Sequence, residues 1–153
     1  RSGERRKMQR KIFGEKIEIE KYNERIAAYV VLHDKGRIAI VRTPSGKYFF
    51  FFFKIEDGET MEECILRECM EEMGFSVTLK DYYAVGERYF FLENNYSYSH
   101  VTGHFYYADR YEKECEPLEE GNEVLWMPFE ECMQELYHPH HRWAVECIKD
   151  RLL

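Results

Sequence analysis

Gly58-Glu59-Thr60-Met61-Glu62-Glu63-Cys64-Ile65-Leu66-Arg67-Glu68-Cys69-Met70-Glu71-Glu72-Met73-Gly74-Phe75 is the stretch on which the reading of this chain turns. Thr60 with Glu63 three residues later has the form of a capping box, and Gly74 that of a helix stop, which predicts a helix over residues 61–73. At about 100° of rotation per residue, Met61, Ile65, Cys69 and Met73 fall on one stripe, the side that a globular chain turns to its core. Glu68 and Glu72 lie on or beside that stripe, and Glu71 borders it.

An ionised carboxylate taken out of water without a partner is costly, so this placement calls for a cation. Three carboxylates at i, i+3 and i+4 bring together hard oxygen donors of the kind that Mg²⁺ or Mn²⁺ takes. Arg67 stands four residues before Glu71 and can hold it by a pair along the helix. The competing reading is a solvated, salt-bridged helix, the ordinary explanation of a Glu-rich segment. The inward side of the stripe speaks against it.

The spacing resembles the Nudix box, G-x5-E-x7-R-E-U-x-E-E-x-G-U, in which U is bulky and apolar. Glu59, Arg67, Glu68, Cys69, Glu71, Glu72, Gly74 and Phe75 stand at matching positions, and only the first glycine is replaced, by Phe53. Over most of its length the chain is similar to a Nudix hydrolase of the MutT type. The resemblance implies an α/β fold, a Nudix-type α/β/α sandwich with a mixed central sheet. It also implies Mg²⁺-dependent hydrolysis of the diphosphate linkage of a nucleoside diphosphate derivative, NDP-X giving NMP and P-X, with a lean toward nucleoside triphosphates and with Mn²⁺ as the alternative ion.

By the same resemblance, Glu68, Glu71 and Glu72 hold the metal, joined by a loop glutamate ahead of a strand tryptophan. Counting back from Trp126 points to Glu120, with Glu119 and Glu123 as competitors. Glu68 is the first choice to accept the proton of the attacking water, although Glu120 or a neighbour serves in some relatives. Arg67 and Glu59 would orient the cluster. The rival reading is a Nudix fold that has lost catalysis and only binds a nucleotide or metabolite; the intact carboxylates argue against it.

The rival is motivated by the segment ahead of the box, where Tyr48 is followed by five phenylalanines, Phe49 to Phe53, and then Lys54. The family usually has Phe-Pro-Gly-Gly-Lys here, so Phe51, Phe52 and Phe53 replace Pro-Gly-Gly. The backbone carbonyl that the family offers to the metal would belong to Phe52. If either glycine position requires φ > 0, a phenylalanine is strained there by roughly 1 to 3 kcal/mol. Two readings stand. Either Phe52, Phe53 and Lys54 contact substrate, with a ring stacking on a base or narrowing the pocket, or the run extends a core strand.

With 153 residues, 44% hydrophobic and 16% aromatic, the chain suits one domain. Residues 13–153 are expected to form it. Residues 1–12 carry Arg1, Arg5, Arg6, Lys7, Arg10 and Lys11 against Glu4 and are expected to be a flexible basic arm or a cloning remnant. The net charge of −7 argues against polymeric nucleic acid, whose backbone needs a basic surface. A free nucleotide can still be bridged to an acidic site by a metal. Five scattered cysteines with no C-x-x-C pair indicate neither a disulfide framework nor zinc. No stretch approaches the roughly 20 apolar residues that cross a bilayer, so a cytoplasmic protein without a membrane partner is expected, with a homodimer left open.

Elsewhere, strands are expected over Ile17–Lys21, Ile26–Leu32, Ile38–Val41, Val77–Leu79, Tyr83–Phe91, Val101–Ala108 and Val124–Met127. Helices are expected from Pro128 to about Tyr137 and from about His140 to Arg151. His100 and His104 read as structural, and His138, His140 and His141 as a helix-start loop rather than a metal cluster.

Overall fold

The computed structural model describes residues 7–18, 21–118 and 122–152. In chain order its elements are β1 (Gln9–Phe13), β2 (Tyr22–Asp34), β3 (Arg37–Arg42), β4 (Tyr48–Phe49), α1 (Met61–Met73), β5 (Phe75–Thr78), β6 (Asp81–Leu92), β7 (Ser97–Ala108), β8 (Arg110–Lys113), β9 (Glu123–Pro128), α2 (Phe129–Glu135), α3 (Pro139–Glu146) and α4 (Lys149–Leu152). The main sheet runs β1-β6-β7-β2-β3-β4, with β9 added to β3, and β5 pairs with β8 apart from it. The sheet is mixed, because β1 runs parallel to β6 and β2 parallel to β7, whereas β6 and β7 are antiparallel.

Two-residue alternation divides the centre of this sheet between two cores. Ala27, Tyr29, Val31, Phe105 and Tyr107 face one side, where Cys132, Leu136, Ala144, Val145 and Ile148 from the C-terminal helices cover them. Ala28, Val30, Leu32, Tyr106 and Ala108 face the other, against Cys64, Ile65, Cys69 and Met73 of α1. A strand buried on both faces must be apolar at every position, which is why residues 27–32 read as an unbroken run; Ile26, expected within the buried strand, is exposed just before it. The result is the expected α/β/α sandwich.

α1 begins and ends where its sequence says. Thr60 Oγ1 accepts from the Glu63 amide at 3.1 Å, and Glu63 Oε1 accepts from the Thr60 amide at 2.9 Å. Gly74 closes the helix in the left-handed region at φ 73°. Tyr106 of β7 donates to Glu62 Oε2 at 2.9 Å and ties the first turn to the sheet.

Other expectations are corrected. Residues 9–12, expected in an unpacked arm, belong to β1 and pair with β6; a strand read as merely charged is completed by a neighbour that local pattern cannot reveal. The described part of Ile17–Lys21 is not strand. Ile17 is exposed and its amide donates to the Tyr22 hydroxyl at 2.8 Å, so no apolar face there finds a sheet. α2 stops at Glu135 rather than Tyr137 because the chain leaves to pair with β4, the Tyr137 amide donating to the Tyr48 carbonyl at 2.9 Å. The last helix is two pieces, α3 and α4, separated by a tightened turn in which the Ile148 amide reaches the Val145 carbonyl at 3.1 Å.

The phenylalanine run does not extend a strand beyond Phe49. Phe50 enters the core beneath the C-terminal helices and Phe53 the core beneath α1, so the run crosses from one layer to the other. Among the described residues only Lys35 and Tyr96 are non-glycines with positive φ. Phe51, Phe52 and Phe53 therefore carry none of the strain that replacing two glycines could have imposed.

Candidate active site

The guanidinium of Arg67 sits at the centre of the carboxylate cluster. Its Nε donates to Glu59 Oε2 at 2.6 Å and its Nη2 to Glu59 Oε1 at 3.1 Å, the two-pronged geometry that a planar guanidinium alone can make. Nη1 donates to Glu71 Oε1 at 3.1 Å, one turn along, and lies 3.7 Å from Glu68 Oε1. Glu59 is held in turn by the Glu56 amide at 3.0 Å. The Arg67 bond, followed by that amide, lowers the Glu59 pKa to about 2, and the same bond raises the pKa of Arg67.

Side-chain exposure sorts the glutamates: Glu68 is 16% exposed and Glu71 is 33%. Glu68 and Glu72 line a cavity of about 460 Å³ whose other walls include Tyr29, the whole Phe49–Phe53 run, His138 and His141. Phe52 borders the cavity and its ring carries the Arg25 guanidinium 4.3 Å from the centroid. Phe53, almost fully buried, touches the cavity from the core, and its carbonyl accepts from the Ala28 amide at 3.2 Å. Lys54 has an exposed side chain; its carbonyl accepts from Arg67 Nη2 and Cys64 Sγ, each at 3.4 Å. Glu119 and Glu120 lie outside the described residues.

The donor chemistry fits a divalent cation: carboxylate oxygens on one helical turn, two of them on the cavity wall, and a Phe52 carbonyl that accepts no hydrogen bond among the described residues. Among the described residues, no three His, Cys, Asp or Glu side chains already form a metal cage.

A model of the NUDIX domain family matches residues 23–149. The chain belongs to the NUDIX family. As a Nudix hydrolase it cleaves the pyrophosphate bond of nucleoside diphosphate derivatives, and members of the family generally use divalent metals. Its fold is similar to that of the Escherichia coli ORF135 protein (TM-score 0.63, 19% identity, 84% of this chain and 91% of that one). It is also similar to a MutT NUDIX hydrolase from Burkholderia pseudomallei (0.62, 21%, 82% and 98%) and to the E. coli dihydroneopterin triphosphate pyrophosphohydrolase (0.62, 18%, 86% and 99%). At these identities the likeness is one of fold. The sequence matches no curated protein.

Sequence reading of this Nudix hydrolase missed the contributions of Tyr29, His138 and His141 to the cavity. Tyr29 read as a core strand residue, which it also is, stacking on Phe105 with centroids 4.8 Å apart. The histidines come from the start of α3, and no spacing links them to α1.

Arg67→Lys is expected to lower kcat by about 10- to 100-fold, since an ammonium cannot hold Glu59 by two parallel bonds and reach Glu71 as well. Steady-state kinetics with a melting curve checks this; unchanged kcat would remove Arg67 from any orienting role.

The histidines also make the fold acid-sensitive. His138, His140 and His141 form a cluster with ring centroids 4.6 to 5.1 Å apart. Burial, then the neighbouring cations, lower His138 to about 4; burial, then His138 and Arg88, lower His140 to about 3; and His141 is lowered well below its ordinary value. All three are neutral in both states above pH 6.5. Below it the unfolded chain takes up protons that the folded chain refuses, so stability is lost as pH falls from 6.5 toward 4, by about 1.4 kcal/mol per pH unit for each such proton. Urea midpoints at pH 7 and 5 should differ strongly, and His140→Phe should shallow the dependence. A flat profile contradicts the assignment.

Proposed function

We propose that this chain is a Mg²⁺-dependent pyrophosphohydrolase that converts NDP-X to NMP and P-X, with nucleoside triphosphates as the favoured class and Mn²⁺ able to replace Mg²⁺. The observation that carries the reading is the cavity itself: Glu68 and Glu72 on one wall, aromatic rings on the others, and a volume suited to one small molecule. Glu68, Glu71 and Glu72, with the Phe52 carbonyl and Glu120, are the residues that would hold the metal. When bound, the ion would offset the phosphate charge and make a water easier to deprotonate.

The protein's own groups do the rest. Glu68, turned into the cavity, accepts the proton of the attacking water. Arg67 fixes the orientation of Glu59 and Glu71, and so of the carboxylates beside them. Phe52, with Phe53 behind it and Lys54 next to it, borders the place of the substrate's ring. Cys64, Cys69 and Cys132 are buried as thiols, which supports a reducing, cytoplasmic setting. Among the described residues no helix is long and apolar enough to cross a membrane. A single domain that takes in β1 from Gln9 and a homodimer are further parts of the proposal, the dimer to be checked by sedimentation.

Incubation with Mg²⁺ and a panel of nucleotides, with NMP and P-X separated by chromatography, tests the reading. Turnover that EDTA stops and Mg²⁺ restores is the expected result. Nucleotides that raise the Tm but are never cleaved would favour the binding-module alternative.

A further inference from the structure

The aromatic end of the cavity has an uneven supply of hydrogen-bond donors. His138 Nδ1 lies 2.8 Å from Arg88 Nη1, and a guanidinium can only donate, so Nδ1 accepts and the proton of a neutral ring sits on Nε2. His141 Nδ1 accepts from the Phe50 amide at 3.4 Å, which places its proton on Nε2 in the same way. Both rings line the cavity. Neither Nε2–H has an acceptor among the described residues, and that of His141 is sealed from solvent. The rings are neutral at pH 7, because burial and the surrounding Arg88, Arg142, Arg25 and Lys47 oppose a further positive charge.

The sealed N–H of His141 is out of a ligand's reach, but the Nε2–H of half-buried His138 is not sealed, and a ligand in the cavity can supply the acceptor it lacks. The neighbouring charges have the same bias. Arg25 lies on the Phe52 ring and Arg88 on the Phe90 ring at 4.5 Å, and neither meets a carboxylate among the described residues. The carboxylates of the cavity, Glu68 and Glu72, belong to α1.

We propose that His138 reads the edge of a planar heterocycle held in this cavity, and selects one that presents a carbonyl acceptor over one that presents an amino group at the same place. The proposal rests on the reading of the chain as a nucleotide hydrolase, and it narrows the substrate class to nucleotides with an oxo-bearing base edge.

Inosine and adenosine monophosphates differ at the six-position as carbonyl against amino, and uridine and cytidine monophosphates differ likewise at the four-position. Calorimetric titration of the protein with these four, without turnover, should show the oxo member of each pair binding about tenfold tighter. In His138→Phe the ratio should fall toward one, and in His138→Gln, which keeps a donor, it should be partly retained. His138 is only half-buried, so its variants should still fold. Equal or reversed ratios in the wild type, ratios untouched by His138→Phe, or no binding of any of the four would overturn the proposal. Because binding is read apart from hydrolysis, a protein that discriminates these ligands but cleaves no nucleotide would refute the proposed reaction and leave the recognition intact.

Discussion

Replacing Glu68 with Gln is expected to lower kcat by a factor of about 10² to 10⁴, the usual contribution of a positioned proton acceptor. Glutamine has the shape of glutamate and keeps a hydrogen-bonding oxygen, so packing is conserved and only the charge and basicity are lost. The side chain borders the cavity rather than either apolar core, and its distance to Arg67 Nη1 is already long at 3.7 Å. The melting temperature should therefore move little. Single-turnover rates with saturating Mg²⁺ separate two losses: a base variant stays slow at any metal concentration, whereas a variant that only binds metal poorly recovers as Mg²⁺ is raised. If kcat falls less than about threefold, the proton goes elsewhere, and Glu120 is the next group to replace.

Gly74→Ala should be among the most damaging single changes to stability. Gly74 ends α1 at φ 73°, where a side chain is already unfavourable. An added Cβ would lie 1.9 Å from the Cys115 carbonyl oxygen and 2.8 Å from its carbon, and these are backbone atoms that no rotamer change can remove. The same segment is fastened to the helix end, the Glu114 and Cys115 amides donating to the Gly74 carbonyl at 2.8 and 3.3 Å and the Leu118 amide to the Glu71 carbonyl at 2.9 Å. A loss of at least about 3 kcal/mol follows, or a fall in Tm of roughly 10 °C. Gly46→Ala separates strain from collision: Gly46 has φ 85° but nothing within 4 Å of its added Cβ, so it should lose only about 1 to 2 kcal/mol. Equal losses in urea melts would mean that the 114–118 segment moves aside. The box glycine thus serves the packing of the end of α1 against the 114–118 segment.

The extent to which the site could be read in advance follows the range of the interactions involved. Thr60, Glu63 and Gly74 bound α1 through hydrogen bonds that span three or four residues, so their spacing suffices. Arg67 and Glu71 are one turn apart, and their contact is as local as the helix. Glu59 is a less local case: the box pattern marked it, but the paired bonds to Arg67 required the loop from Lys54 to fold back on the helix. Nothing in the run Phe49–Phe53 says that Phe50 and Phe53 enter opposite layers; alternate sides are open to any extended chain, and the two cores decide.

From the chain of letters alone came the box helix, its caps and the placing of Glu68, Glu71 and Glu72 beside Arg67 on it, because each depends on periodicity or on contacts within a few residues; the α/β/α layering came only through the family resemblance that the box carries. The cavity was decided only in three dimensions. Tyr29 comes from β2, the phenylalanine rings from the segment before α1, His138 from the residue that precedes α3 and His141 from α3 itself, and no local rule couples segments so far apart. Which nitrogen of each histidine carries its proton was decided there too, since that depends on Arg88 and the Phe50 amide arriving from other parts of the chain.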